Sequence, residues 1–156
     1  METPSASYLP EGLPIPIPGP GGLGAPYFES LQREELLLPS CGVCGLFQWP
    51  PAWICHGCHA LDLRWTQVAP EGAIFSWARS WHPVHPVLRE AVPYLTVVVE
   101  IEGAGGVRVV GNLLGDPLQP VKIGARVRGR FEHHPNSAPP YSLLQWTTAD
   151  APHEGG

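Results

Sequence analysis

The sequence predicts a mainly β protein: a short N-terminal helix, a rubredoxin-like zinc ribbon, and then a five-stranded barrel of the OB type. Three observations carry that expectation. Four cysteines fall as two C-x-x-C pairs between positions 41 and 58, a leucine-rich helix-forming segment precedes them, and five short runs rich in Val, Ile, Tyr, Phe, Trp and Thr follow. The 156 residues suffice for a metal-stapled module joined to a barrel of about 80 residues, and exclude two large domains.

Residues 1–26 hold seven prolines and many glycines, with Pro14, Pro16 and Pro18 alternating with Leu13, Ile15 and Ile17. Proline fixes φ and removes amide donors, so this segment is expected to be an extended, disordered arm and not a helix. Its isoleucines could lie on a partner, or the arm could be a dispensable tail. Residues 27–66 are assigned to the helix and ribbon, 67–149 to the barrel, and 150–156 to a disordered tail. The helix is expected over 27–38, with Phe28, Leu31 and the later leucines near helical spacing and Pro39 closing it. Because the residue before a proline avoids the α region, the last leucines could instead be extended.

The ribbon reads Cys41-Gly-Val-Cys44-Gly, then ten residues, then Cys55-His-Gly-Cys58. Each C-x-x-C turn points two thiolates at one ion, and its amides can donate to the sulfurs. Gly42, Gly45 and Gly57 sit where such turns need positive φ or close backbone approach. Four sulfur ligands complete a tetrahedral shell, so the site is read as structural zinc, one ion per chain, with no open position for catalysis. Iron uses the same ligands and stays open as an alternative. His56 and His59 are read as surface residues. Two disulfides fit less well, because the chain has no export signal, and a redox C-x-x-C would be expected beside a βαβ pattern.

The barrel strands are expected at 73–81, 94–102, 107–114, 126–132 and 141–147, with a hairpin turn at 103–106. Arg126, Arg128 and Arg130 alternate along one strand and should share a face, with Val127 and Phe131 on the other. Such a stripe could follow phosphates. However, the formal net charge is −5, and positions 68–150 balance seven Lys or Arg against seven Asp or Glu, which argues against nucleic acid. His82 and His85, in Trp-His-Pro-Val-His-Pro, have no carboxylate at a spacing that would make an acid/base pair, and are read as a partner-facing loop. There is no G-x-S-x-G, phosphate loop or H-E-x-x-H, so no catalytic residue is assigned. No apolar run is long enough to span a bilayer, and a soluble cytoplasmic protein is expected.

Taken in order, the aromatic-led helix (Tyr27-Phe28-Glu29-Ser30-Leu31), the leucine run into Cys41-Gly-Val-Cys44-Gly, Trp49-Pro50-Pro51 and the second cysteine pair resemble a known family. The likeness continues through Gly72-Ala73-Ile74-Phe75-Ser76-Trp77, Pro93-Tyr94-Leu95-Thr96, Val107-Arg108-Val109-Val110-Gly111-Asn112 and Ile123-Gly124-Ala125-Arg126-Val127. These residues are similar to the acyl-CoA-associated zinc-ribbon plus OB-fold proteins, the domain-of-unknown-function-35 (DUF35) family, over about 27–147. Two departures stand out: the arginine stripe replaces a more apolar strand, and the proline-rich arm lies outside the common region.

The resemblance implies a small subunit that binds a thiolase-like or lipid-transfer-protein-like enzyme and is needed for that enzyme's acyl-CoA chemistry, including aldolases that cut steroid side chains. Any enoyl-CoA hydratase would have to be a separate chain. Trp49, Trp53, Trp77 and Trp81, with His82, His85 and the three arginines, are then candidate contacts to a partner or acyl-CoA. The competing reading is a single-strand nucleic-acid binder, in which aromatics stack bases and the arginines follow a backbone.

Overall fold

The computed structural model describes residues 7–150, so the first six residues of the expected arm and all but Asp150 of the expected tail lie outside the described residues. Its elements are α1 (Ala25–Gln32), β1 (Leu36–Cys41), β2 (Leu63–Val68), β3 (Glu71–Ser80), β4 (Tyr94–Ile101), β5 (Arg108–Asn112), β6 (Arg126–His134) and β7 (Tyr141–Thr148). β1 and β2 form a two-stranded antiparallel sheet, and the other five strands form a second sheet in the order β5-β4-β3-β6-β7. A parallel bridge between Leu113 and Trp146 brings the two ends of that sheet together, with the Leu114 amide donating to the Trp146 carbonyl at 2.8 Å. This is the expected five-stranded OB-like barrel. The turn between β4 and β5 uses Gly105 and Gly106, both at positive φ (59° and 82°), where a Cβ would be strained.

The helix stops earlier than the leucine spacing predicts. Glu34 takes a left-handed φ of 58°, the Glu35 amide reaches back to the Ser30 carbonyl, and the Glu34 amide reaches the Leu31 carbonyl. That pattern is a Schellman stop with glutamate where glycine is usual. The leucines beyond it form β1, where Leu36 and Leu38 are fully buried. β2, which pairs with β1 from Leu63↔Cys41 to Val68↔Leu36, is a strand that the sequence pattern does not predict.

One apolar core joins these parts. Leu36 and Leu38 from β1, Tyr27 and Leu31 from α1, and Ile74, Leu95, Val97, Val99, Val127 and Trp146 from the barrel belong to the same buried cluster. The ribbon is therefore anchored to the barrel by its own strand. Among the described residues no helix is long and apolar enough to cross a membrane.

Candidate metal centre

β1 delivers Cys41 to the end of the ribbon, and the chain then turns twice in the same way. In the first turn the Gly45 amide donates to the Cys41 carbonyl (2.9 Å) and the Cys41 amide to the Leu46 carbonyl (2.8 Å). In the second, the His59 amide donates to the Cys55 carbonyl (3.1 Å) and the Cys55 amide to the Ala60 carbonyl (2.9 Å). Gly45 and His59 hold equivalent places, both at positive φ (76° and 62°). Gly42 and Gly57 serve close approach instead: a Cβ on Gly42 would run into the Asp62 carboxylate and the Arg64 guanidinium, and one on Gly57 would press on Leu46 at 3.0 Å.

A residue with a Cβ pays roughly 1–2 kcal/mol to stay in the left-handed region, and glycine does not. Gly45→Ala should therefore destabilise the ribbon by about 1 kcal/mol, while His59→Gly should leave bound metal unchanged and stability no lower. Metal content together with thermal unfolding checks both, and loss of metal from His59→Gly would make that imidazole a ligand.

The two turns bring the four sulfurs within 4.8 Å of one another. Cys41 and Cys58 lie 3.6 Å apart, as do Cys44 and Cys55, and all four are free cysteines. A disulfide needs about 2.05 Å. A tetrahedron with metal–sulfur bonds of about 2.3 Å has edges of about 3.8 Å, so the donor set fits a four-coordinate ion. Cys41 accepts from the Val43 and Cys44 amides (3.4 and 3.5 Å), and Cys55 from the Gly57 amide (3.4 Å).

These donors act on the thiols directly. The Cys44 and Val43 amides hold the Cys41 thiol below its ordinary range, and the Cys58 and Gly57 amides bring Cys55 down to about 6. At Cys58 the Ala60 amide also pulls downward, but the neighbouring Cys41 sulfur and burial prevail and push the thiol up to about 11. Four sulfurs this close cannot all carry charge without a cation among them. Zinc bound there would supply a structural cross-link.

Gln48, which sequence reasoning does not single out, fixes the second turn. It is buried, donates to the Ile54 carbonyl at 3.2 Å and accepts from the His56 amide at 3.0 Å. A lone glutamine inside an apolar stretch gives no sequence signal of that role.

The other candidate residues are scattered. Trp49 packs its ring 4.6 Å from that of Tyr27 and lies against the core, so its surface is largely used within the chain. Trp53 and Trp81 are exposed, at 75% and 64%. His82 is exposed, and His85 accepts from the Val87 amide (3.3 Å), capping a short 3-10 turn. Arg126, Arg128 and Arg130 do share an outward face of β6, opposite buried Val127. Arg126 is paired with Glu102 at 2.7 Å.

The stripe ends on Glu132, which is buried although alternation puts it on the same outer face. It is covered from the N-terminal segment and from β7, the Tyr8 amide donating to it at 3.0 Å and Gln145 at 3.2 Å, while His134 of the same strand lies 2.7 Å away. The Tyr8 hydroxyl also accepts from the Leu95 amide at 3.3 Å. At Tyr8 the proline-rich segment is thus bonded to the barrel.

Against this geometry, the likeness to known proteins is specific. A family model described as the C-terminal OB-fold domain of ChsH2 matches residues 65–132. A solved structure titled "Ltp2-ChsH2(DUF35) aldolase" contains a chain 27% identical, with a TM-score of 0.72 over 85% of this chain and 99% of that one. The chain thus resembles the DUF35 zinc-ribbon plus OB-fold proteins, in sequence over the barrel segment 65–132 and in fold over ribbon and barrel together. A DUF35 protein of unknown function from Sulfolobus solfataricus shares the fold at 16% identity, with a TM-score of 0.57 over 82% of this chain and 86% of that one. No curated protein matches.

Proposed function

We propose that this chain is a non-catalytic, zinc-binding accessory subunit. Its partner would be a thiolase-like or lipid-transfer-protein-like enzyme, whose acyl-CoA chemistry it supports within an aldolase-type complex. The observation that carries the reading is the end-to-end likeness to the chain in the Ltp2–ChsH2 aldolase structure, which spans ribbon and barrel together. The four-cysteine donor set agrees with it, because a shell completed by four sulfurs leaves no coordination position for substrate. The nucleic-acid reading draws no support from the arginine stripe, since Arg126 is held by Glu102 and the outer face of the strand ends on a carboxylate.

The test is to titrate this chain into an Ltp2-type subunit from the same source, following complex formation and turnover together. A saturable rise in both supports the proposal. Turnover by this chain alone, or an Ltp2-type subunit indifferent to it, would refute it.

A further inference from the structure

Residues 36–61 contain no Asp, Glu, Lys or Arg, the longest uncharged run in the chain. The leucines at its start are buried in the core, but the part around the metal centre is not. Val43 and Leu46 on the first turn, and Trp53, Ile54 and Leu61 around the second, are all exposed, Trp53 at 75% and Leu61 at 78%. They sit on one small knob, because both turns close on the same sulfur cluster and Leu46 lies over Gly57 of the opposite turn.

Several exposed apolar residues elsewhere in the protein have charged company. Phe75 lies beneath the Arg108 guanidinium at 3.5 Å, Trp77 has the Arg79 guanidinium 5.3 Å from its ring centre, and Val110 is two residues from Arg108 on the same strand. A knob with no Asp, Glu, Lys or Arg of its own, carrying an exposed tryptophan, has the composition of the centre of a protein interface and not of its rim. The nearest charges in sequence, Asp62 and Arg64, are bonded to each other at 2.7 Å and so present a neutral border.

Resting on the accessory-subunit reading, we infer that the tip of the ribbon is the docking surface for the enzyme subunit, and that Trp53 and Leu61 are its anchors. The complementary surface on that subunit is mainly apolar, to cover Trp53 and Leu61, and any charge it carries is cationic, because four thiolates around one divalent zinc leave the base of the knob negative and Cys44 and Cys58 are exposed. The metal then also serves binding: it stiffens the turns that carry the anchors, so less conformational freedom is lost on docking.

The experiment compares the wild-type chain, Trp53→Gln/Leu61→Gln and the barrel-surface control Ile123→Gln, whose side chain is 70% exposed. Each is titrated by calorimetry against the Ltp2-type subunit, with zinc content and unfolding temperature measured in parallel. The double variant should keep its zinc and its fold, because both side chains face solvent, and should bind at least tenfold more weakly, while Ile123→Gln binds as wild type. If the double variant binds as tightly as wild type, the ribbon tip is not the docking surface and the accessory reading survives. If the wild type itself does not bind, the accessory reading falls and the inference with it. Concentration-dependent self-association of the wild type that disappears in the double variant would overturn the assigned occupant in favour of a second copy of this chain.

Discussion

Cys44→Ser or Cys58→Ser should reduce bound zinc from one equivalent per chain to a small fraction and unfold the ribbon turns, leaving most of the barrel intact. The size of the effect follows from what the metal replaces. Between Cys41 and Cys58 only Gln48 and Cys55 are buried, so these turns have almost no core of their own. Structural zinc in comparably small peptides contributes an apparent stabilisation of about 10–16 kcal/mol. Removing one of four thiolates also leaves three crowded sulfurs without their full complement of positive charge. Because Leu36 and Leu38 are held in the barrel core, the damage should be confined to 41–62. Hydrogen exchange should therefore show fast amides there and unchanged protection in β4 and β7, and a chelator should reproduce the pattern. Full zinc occupancy in either variant, or a freshly purified protein with well under one equivalent of metal, would contradict the assignment.

The four-cysteine cluster is legible in the sequence because its geometry is local. Each C-x-x-C turn is built within five residues, and the equivalence of Gly45 and His59 shows that one backbone conformation is needed twice. The barrel is legible for a related reason: β4 alternates buried and half-buried residues along its whole length, which is the pattern of a strand with one face in a core. What is not legible depends on distance or on a missing marker. β2 has no fully buried residue, and its partner β1 lies across the whole ribbon, so neither burial pattern nor turn chemistry marks it. The end of α1 carries no glycine, since Glu34 accepts the left-handed conformation and makes a 3.1 Å contact with His133. Glu132 is hydrogen-bonded by Tyr8, more than a hundred residues away, and by Gln145 on the neighbouring strand, and no local pattern encodes the first of these.

Replacing His82 and His85 together by alanine should leave the turnover of the assembled complex within a few fold of wild type at saturating subunit. Neither imidazole is placed as an acid or base would be. His82 is exposed, and a ring nitrogen of His85 is committed to the Val87 amide. Any loss should therefore come through weaker assembly, raising the subunit concentration needed for half-maximal activity. A complex that forms normally but turns over roughly a thousandfold more slowly would fit the loss of a general acid or base, which typically contributes about a hundred- to ten-thousandfold, and would make this chain part of the catalytic machinery.

In the proposed role the chain has no chemistry of its own and enables that of another subunit. The most direct measurement is the aldolase turnover of an Ltp2-type subunit from the same source, assayed on an acyl-CoA substrate with increasing amounts of this protein, beside each protein assayed alone. This chain alone should show no turnover, and activity in the mixture should rise and level off as the complex saturates, with Cys44→Ser failing to produce the rise. Turnover by this chain alone, or activity of the Ltp2-type subunit that is the same with and without it, would contradict the accessory role.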